Sequence, residues 1–185
     1  MLRQVRWFVI LFCFFSPATN FKPSQALGQA NALRPGSSIA KDISAGQTHS
    51  YTISLSSNSY LHLVAEQRGV DIFLELLDPS GKSLVETYSP IGSQGAENLY
   101  FIAESAGDYT LQVRSVHSTA VEGGYTLTLL AVRAPSPEDL RRAAAQRDYF
   151  DGEKLRASDL EQSLRRLQKA VQTFSSLGEE RQAAI

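Results

Sequence analysis

Cysteine is nearly absent: Cys13 stands alone among 185 residues, inside an apolar N-terminal stretch. Downstream of it there is no disulfide framework, no thiol nucleophile and no cysteine-ligated metal. Histidine is almost as scarce. His49 lies near a turn-to-strand junction, His62 in a strand and His117 in a loop, and no two of them have a metal-ligand spacing. Each reads as a surface or strand-edge residue. No H-E-x-x-H motif, G-x-S-x-G elbow or Gly-rich phosphate loop occurs. An excess of positive charge is missing too: 18 basic residues face 19 acidic ones. That excludes the basic surface with which a nucleic-acid binder displaces counterions, and a polybasic handle for anionic membranes. No apolar run reaches the roughly 18–20 residues that cross a bilayer. The expectation is a protein that is not an enzyme.

The longest apolar run is Trp7–Phe15 (WFVILFCFF), preceded by Arg3 and Arg6 and stopped at Ser16-Pro17. Its length and flanks are those of a signal-peptide h-region. Small-x-small sites follow at Ser24-Gln25-Ala26 and Gly28-Gln29-Ala30, so cleavage after Ala26 or after Ala30 is predicted. A lipoprotein would need cysteine after a small residue at the cut, whereas Cys13 follows Phe12 within the run. An uncleaved anchor is the alternative. Residues 1–26 are read as a signal peptide and the protein as exported, periplasmic or extracellular, with no membrane contact after cleavage. From Leu27 onward 15 basic and 19 acidic residues remain, a mildly acidic chain.

Residues 27–43 read as a leading segment or linker. Period-2 alternation then begins, the mark of half-buried strands. Tyr51, Ile53 and Leu55 share a face, as do Leu61, Leu63 and Ala65. Asp71–Leu77 is apolar almost throughout and reads as a central strand. Asp78-Pro79-Ser80-Gly81 is a turn, followed by a hairpin partner from Ser83 to Tyr88. Asn98–Ala103 is a further strand; its start, Glu97 to Phe101 (ENLYF), matches an engineered protease site but carries Ile102 where glutamine would be needed. Tyr109, Leu111 and Val113 alternate after Ala106-Gly107-Asp108, and Tyr125, Leu127 and Leu129 after Gly123-Gly124. About seven strands, each with one apolar face, predict an antiparallel β-sandwich or jelly-roll over residues 44–133. Tyr51, Phe73, Phe101, Tyr109 and Tyr125 are its expected large core members.

Ala134-Pro135-Ser136-Pro137 marks a boundary, and residues 136–185 form a C-terminal α-helical extension. Ser136 suits an N-cap, Pro137 the first helical position, and Glu138-Asp139 the positive end of the dipole. This helix is expected to run to Phe150 or Leu155. Ser158 and Glu161 form a predicted capping box for a second helix. There Leu160, Leu164, Leu167, Val171 and Phe174 line one face, and Gly178 is its C-cap. A third helix is expected from Glu179.

Gly46-Gln47-Thr48-His49-Ser50-Tyr51, Gly69-Val70-Asp71-Ile72, Leu77 to Lys82, Ala106 to Val113 and Gly124 to Leu127, in this order, resemble the bacterial pre-peptidase C-terminal domain. The resemblance implies a β-sandwich of the kind appended to secreted enzymes and surface proteins. Leu164 to Ala184 resembles a single tetratricopeptide repeat. The whole order resembles the front of proteins that continue through such repeats into a caspase-like CHAT protease domain.

Some relatives of the sandwich bind calcium. The carboxylates available for such a site are Asp71, Asp78 and Asp108, with Glu97 and Glu104, although Asp71, Asp78 and Asp108 also suit plain turn formation. No other cofactor is implied. Tyr60, Tyr88 and Tyr100 are candidates for stacking on a carbohydrate, or half-buried strand tyrosines. The expected function is a non-catalytic exported module for protein binding, targeting or spacing, with a protein partner on the helical tail. The alternatives are the front of a CHAT-type protease and a carbohydrate-binding module.

Overall fold

The structure is a computed structural model that describes residues 31–87, 92–116 and 122–179. The signal peptide with its cleavage sites, Tyr88, His117 and the third helix from residue 180 lie outside the described residues.

Eight strands precede two helices: β1 (Ser38–Ser44), β2 (Thr48–Leu55), β3 (Tyr60–Arg68), β4 (Ile72–Leu77), β5 (Ser83–Thr87), β6 (Gln94–Ile102), β7 (Gly107–Ser115), β8 (Glu122–Arg133), α1 (Pro137–Leu155) and α2 (Leu160–Ser176). They form two four-stranded sheets, ordered β1-β8-β3-β6 and β2-β7-β4-β5. Every strand pairing is antiparallel. The expected sandwich with a helical extension is therefore the fold.

The core follows the sequence alternation. Tyr51, Ile53, Leu55, Leu61, Leu63, Ala65, Ile72, Leu74, Leu76, Leu99, Phe101, Tyr109, Leu111, Val113, Tyr125, Leu127 and Leu129 are buried in one cluster between the sheets. Each large side chain contributes roughly 1.5–3 kcal/mol by leaving water. Tyr109 also donates its hydroxyl proton to the Ser105 carbonyl, 2.8 Å away. β4 is an inner strand, as expected.

Three expectations are corrected. The sandwich begins before residue 44: β1 lies within the supposed linker. Leu33 is part of the core, and its N–H donates to the Thr52 carbonyl at 2.9 Å. The period in β1 is masked because Lys41 shares a face with Ile39 and Ile43. A charged residue in that position suits an edge strand, where it blocks pairing with another chain. Phe73 is not a core residue. It faces outward, where the Arg114 guanidinium lies 4.6 Å from its ring and also bonds Glu75 at 2.8 Å. The α2 N-cap is Asp159, not Ser158: its carboxylate accepts the Gln162 N–H at 3.0 Å.

A bulge decides which part of β8 meets the helices. The β3–β8 register shifts where His62 opposes Ala131 and Leu63 opposes Leu129, leaving Leu130 extra and exposed. An extra residue reverses the face that follows it. Ala131 consequently points out of the sandwich, toward the helices, and Val132 points in.

The helical extension is not a detached tail. α1 packs against β5 and β6, the two strands that border one open side of the sandwich. Gln146 donates to the Glu86 carbonyl on β5. Phe150, only 6% exposed, belongs to the core between the sheets. α1 starts as predicted, with Ser136 at the N-cap, and a capping box closes with Asp139. α2 lies against α1. Gly152 permits this approach, since a Cβ there would stand 2.9 Å from Leu167 Cγ. Ala170 and Phe174 of α2 cover Tyr60 and Tyr100 on the outer face of β3 and β6. Among the described residues no helix is long and apolar enough to cross a membrane.

Candidate functional site

The residues with chemical potential gather where the helical pair meets the outer face of β3 and β6. α2 ends in a Schellman turn. The Gly178 N–H bonds the Ser175 carbonyl and the Glu179 N–H bonds the Phe174 carbonyl. Gly178 takes φ +73°, a left-handed conformation suited to glycine. The turn swings Glu179 back over the sheet. Its carboxylate accepts the Tyr100 hydroxyl at 3.1 Å and the Arg142 Nε–H at 2.9 Å.

A second pair continues the clasp. Arg133 at the end of β8 donates to both Asp139 oxygens, at 2.5 and 3.2 Å, and lies 5.1 Å above the Tyr60 ring. Asp139 also accepts the Ser136 backbone N–H at 2.8 Å. One carboxylate thus caps α1 and ties it to β8. Burial pushes the Asp139 carboxyl up, but the Arg133 and Ser136 hydrogen bonds outweigh it and hold the group below its ordinary value. The Glu179 hydrogen bond raises Arg142. Burial raises the Tyr60 and Tyr100 phenols, and Asp139 and Glu179 respectively add to this.

The sequence candidates fall differently. Tyr60 and Tyr100 are on the outward face, as the alternation implied, but they are 1% and 2% exposed. The helices cover them, so they offer no open stacking platform for a sugar. His62 is beside them, its ring 4.7 Å from that of Tyr100, with Nε2 3.1 Å from Asn98 Oδ1. It is an interface residue. His49 stands half-buried on the edge strand β2, its Nδ1 2.7 Å from the Tyr125 hydroxyl, which lies 2.6 Å from that of Tyr51.

The calcium candidates do not converge. Asp78 Oδ1 accepts the Ser80 N–H and hydroxyl and the Lys82 N–H at 2.6–2.9 Å, a self-satisfied turn. Asp108 accepts the Ser54 hydroxyl at 2.6 Å. Asp71 stands at the opposite end of β4 from Asp78, about 20 Å away at the rise of a strand. Glu97 is buried between the sheets and accepts from Gln67 and Thr87, and Glu104 pairs with Arg147. Among the described residues no three His, Cys, Asp or Glu are grouped to hold a metal ion.

Among the described residues, two apolar features on or beside the helices are open to solvent. A groove of about 290 Å³ between α1 and β5/β6 is lined by Leu84, Phe101, Leu140 and Ala144, with Arg147 and Glu104 at its rim. On α2, Leu160 and Leu164 are 61% and 49% exposed. The predicted apolar face of α2 therefore divides: Phe174 is buried, Leu167 and Val171 half-buried, and the first turns face water. Sequence reasoning missed the clasp of Arg133, Asp139, Arg142 and Glu179. Its one local signal is Asp139 at the third position after Ser136; the others are joined only by tertiary structure.

No family model matches the chain, and no curated protein matches it. Among solved structures it is similar to the pre-peptidase C-terminal domain of collagenase from Bacillus anthracis, at 19% identity and a TM-score of 0.44. That match covers 53% of this chain and 91% of that one. It is also similar to PliG of Aeromonas hydrophila, a periplasmic inhibitor of g-type lysozyme, at 8% identity and a TM-score of 0.40. Here 54% of this chain and 96% of that one are covered. The corresponding inhibitor of Salmonella Typhimurium matches at 14% identity and a TM-score of 0.37, covering 54% and 97%. These likenesses take in about half of this chain, and what its own sheets and helices establish is a two-sheet antiparallel β-sandwich carrying two C-terminal helices.

Proposed function

We propose that this chain is an exported, non-catalytic module whose sandwich is a rigid base and whose docked helical pair presents a surface to a protein partner. The observation that carries the reading is the pair of exposed leucines, Leu160 and Leu164, one turn apart on a helix that is fixed from behind. Single exposed leucines are ordinary. Two on one face of an immobilised helix offer an apolar anchor at little further entropic cost. Support for a non-catalytic role comes from the two described histidines, His49 and His62, whose rings are engaged with Tyr125 and Asn98.

The test is site-specific photocrosslinking in the producing cell, with the probe at Leu164 or at Gln112 on the outer face of the β2-β7-β4-β5 sheet. The reading expects one discrete protein adduct from position 164 and none from 112. Equal labelling, or none at 164, refutes it. Export is tested separately by the N-terminus of the released protein, expected at Leu27 or Asn31.

The same exposed face supports a second reading, in which the pair begins a tetratricopeptide stack at the front of a CHAT-type protein. An in-frame coding sequence beyond Ile185 with further helical repeats would favour it. The carbohydrate reading loses its main support, because Tyr60 and Tyr100 lie under the helices.

A further inference from the structure

His62 occupies an unusual position for a titratable group. It projects from the outer face of β3 into the layer between sheet and helices. Tyr100 of β6 is on one side, at 4.7 Å between ring centres, and Tyr60 of its own strand is at 6.3 Å. Tyr60 and Tyr100 belong to the same apolar cluster as Ala145 of α1 and Ala170 and Phe174 of α2. The ring has one hydrogen-bond partner among the described residues, Asn98 Oδ1. A neutral imidazole protonated at Nε2 satisfies this contact by donating to the amide oxygen.

We propose that His62 makes the docking of α2 and its clasp onto the sheet sensitive to acid: the pair is held while the imidazole is neutral and loosened when it takes a second proton. The groups that face it decide the direction. From α1 come Asp139 and Arg142, from the turn after α2 comes Glu179, from β6 come Tyr100 and Asn98, and from β8 Arg133 lies over Tyr60. Both carboxylates are already committed. Asp139 is held by Arg133 and the Ser136 N–H, and Glu179 by Arg142 and the Tyr100 hydroxyl. An imidazolium would add a second cation near Arg142, on a half-buried ring set among aromatic and aliphatic side chains. A half-buried cation beside another cation, with both nearby carboxylates already paired, is disfavoured.

Burial accordingly lowers the His62 basicity from its ordinary value of 6.5, the Asn98, Glu179 and Asp139 contributions notwithstanding. A group whose basicity is depressed in the docked state supports docking above its free value and withdraws that support as pH falls through it. The docking constant then drops by up to tenfold for each pH unit below about 6.5, until the docked-state imidazole itself titrates. The device is independent of whether the helical pair binds a partner.

Backbone amide exchange on the full chain, corrected for the intrinsic pH dependence of exchange, tests the proposal at about pH 7.5 and about pH 5.5. Protection of α2 should fall, by up to tenfold, at the lower pH while that of β7 is unchanged. His62→Gln, which retains an amide donor for Asn98 and cannot titrate, should abolish the difference. His49→Gln should leave it intact. Unchanged α2 protection in the parent chain overturns the proposal, and so does a His62→Gln variant that keeps the full pH response, since Glu179 or Asp139 would then be responsible. Should His62→Gln fail to fold, the ring proton resonances of His62 in the parent chain give the answer. A midpoint below 6.5 supports the device, and one at or above it overturns it.

Discussion

Replacing Phe150 with alanine tests whether the helical extension and the sandwich are one cooperative unit. Phe150 lies on α1 yet belongs to the core between the sheets, at 6% exposure. Removing a buried phenylalanine ring costs about 3–5 kcal/mol, as lost transfer energy plus an unfilled cavity. The site borders the open side of the sandwich and can partly collapse, which favours the lower end. The Lys154 ammonium 3.9 Å above the ring loses a cation–π contact worth about 0.5–1 kcal/mol at such an exposed position. A loss of about 3–4 kcal/mol follows, a large share of the roughly 5–15 kcal/mol that holds a domain. Urea denaturation followed by far-UV circular dichroism should show one transition at a lower midpoint with an unchanged slope. The melting temperature should fall by about 6–16 °C for a domain of this size. Leu164→Ala, at an exposed position on α2, should move stability by no more than about 0.5 kcal/mol. A Phe150→Ala loss below about 1 kcal/mol, or two separate transitions in the parent chain, would refute the reasoning. The helices would then be an independent appendage.

Three further outcomes are expected. Tyr109→Phe should cost about 0.5–1.5 kcal/mol for the lost bond to the Ser105 carbonyl, whereas Tyr109→Asp should leave no cooperative melt, because a carboxylate would be buried between the sheets. Asp139 is held below its ordinary value of 3.8, so the stability it lends is full above that pH and lost as pH falls through its depressed value. An acid titration of Asp139→Asn should lack that loss, and an unchanged acid profile would count against the Arg133–Asp139 clasp. Millimolar calcium should leave the melting temperature unaltered, since Asp71 and Asp78 lie at opposite ends of β4. A rise of several degrees would require a site that these carboxylates do not form.

Much of the sandwich was legible because burial in a half-exposed strand imposes a period of two. Tyr51 to Leu55, Tyr109 to Val113 and Tyr125 to Leu129 show it, and each was placed on the correct face. Legibility failed where another force outweighed the period. β1 carries an edge lysine in phase with its isoleucines, which hides the strand. Phe73 belongs by composition to the core, but it stands one residue out of phase with Ile72 and Leu74 and shelters under Arg114. The α2 cap moved by one residue because Ser158 and Asp159 are both good N-caps and the chain path chose between them. Tyr60 and Tyr100 alternate with the core residues Leu61, Leu99 and Phe101 and so point outward. Nothing local indicates that an outward face will be covered by a helix from 40 or more residues downstream.

The sequence by itself determined the order of elements, the alternation that fills the space between two sheets, the start of α1 at Ser136-Pro137 and the stop of α2 at Gly178. All of these are set by contacts between near neighbours or by the polarity of single residues. Only the tertiary structure decided that the helices belong to the sandwich. A bulge at Leu130 turned Ala131 outward, Gly152 let α2 approach α1, and α1 reached the side bordered by β5 and β6, where Phe150 entered the core. The clasp of Arg133, Asp139, Arg142 and Glu179 around Tyr100 and His62 follows from that docking. Arg133 and Glu179 are distant along the chain, and only the fold brings the four charges close enough to neutralise one another at the partly exposed edge of the layer between helices and sheet.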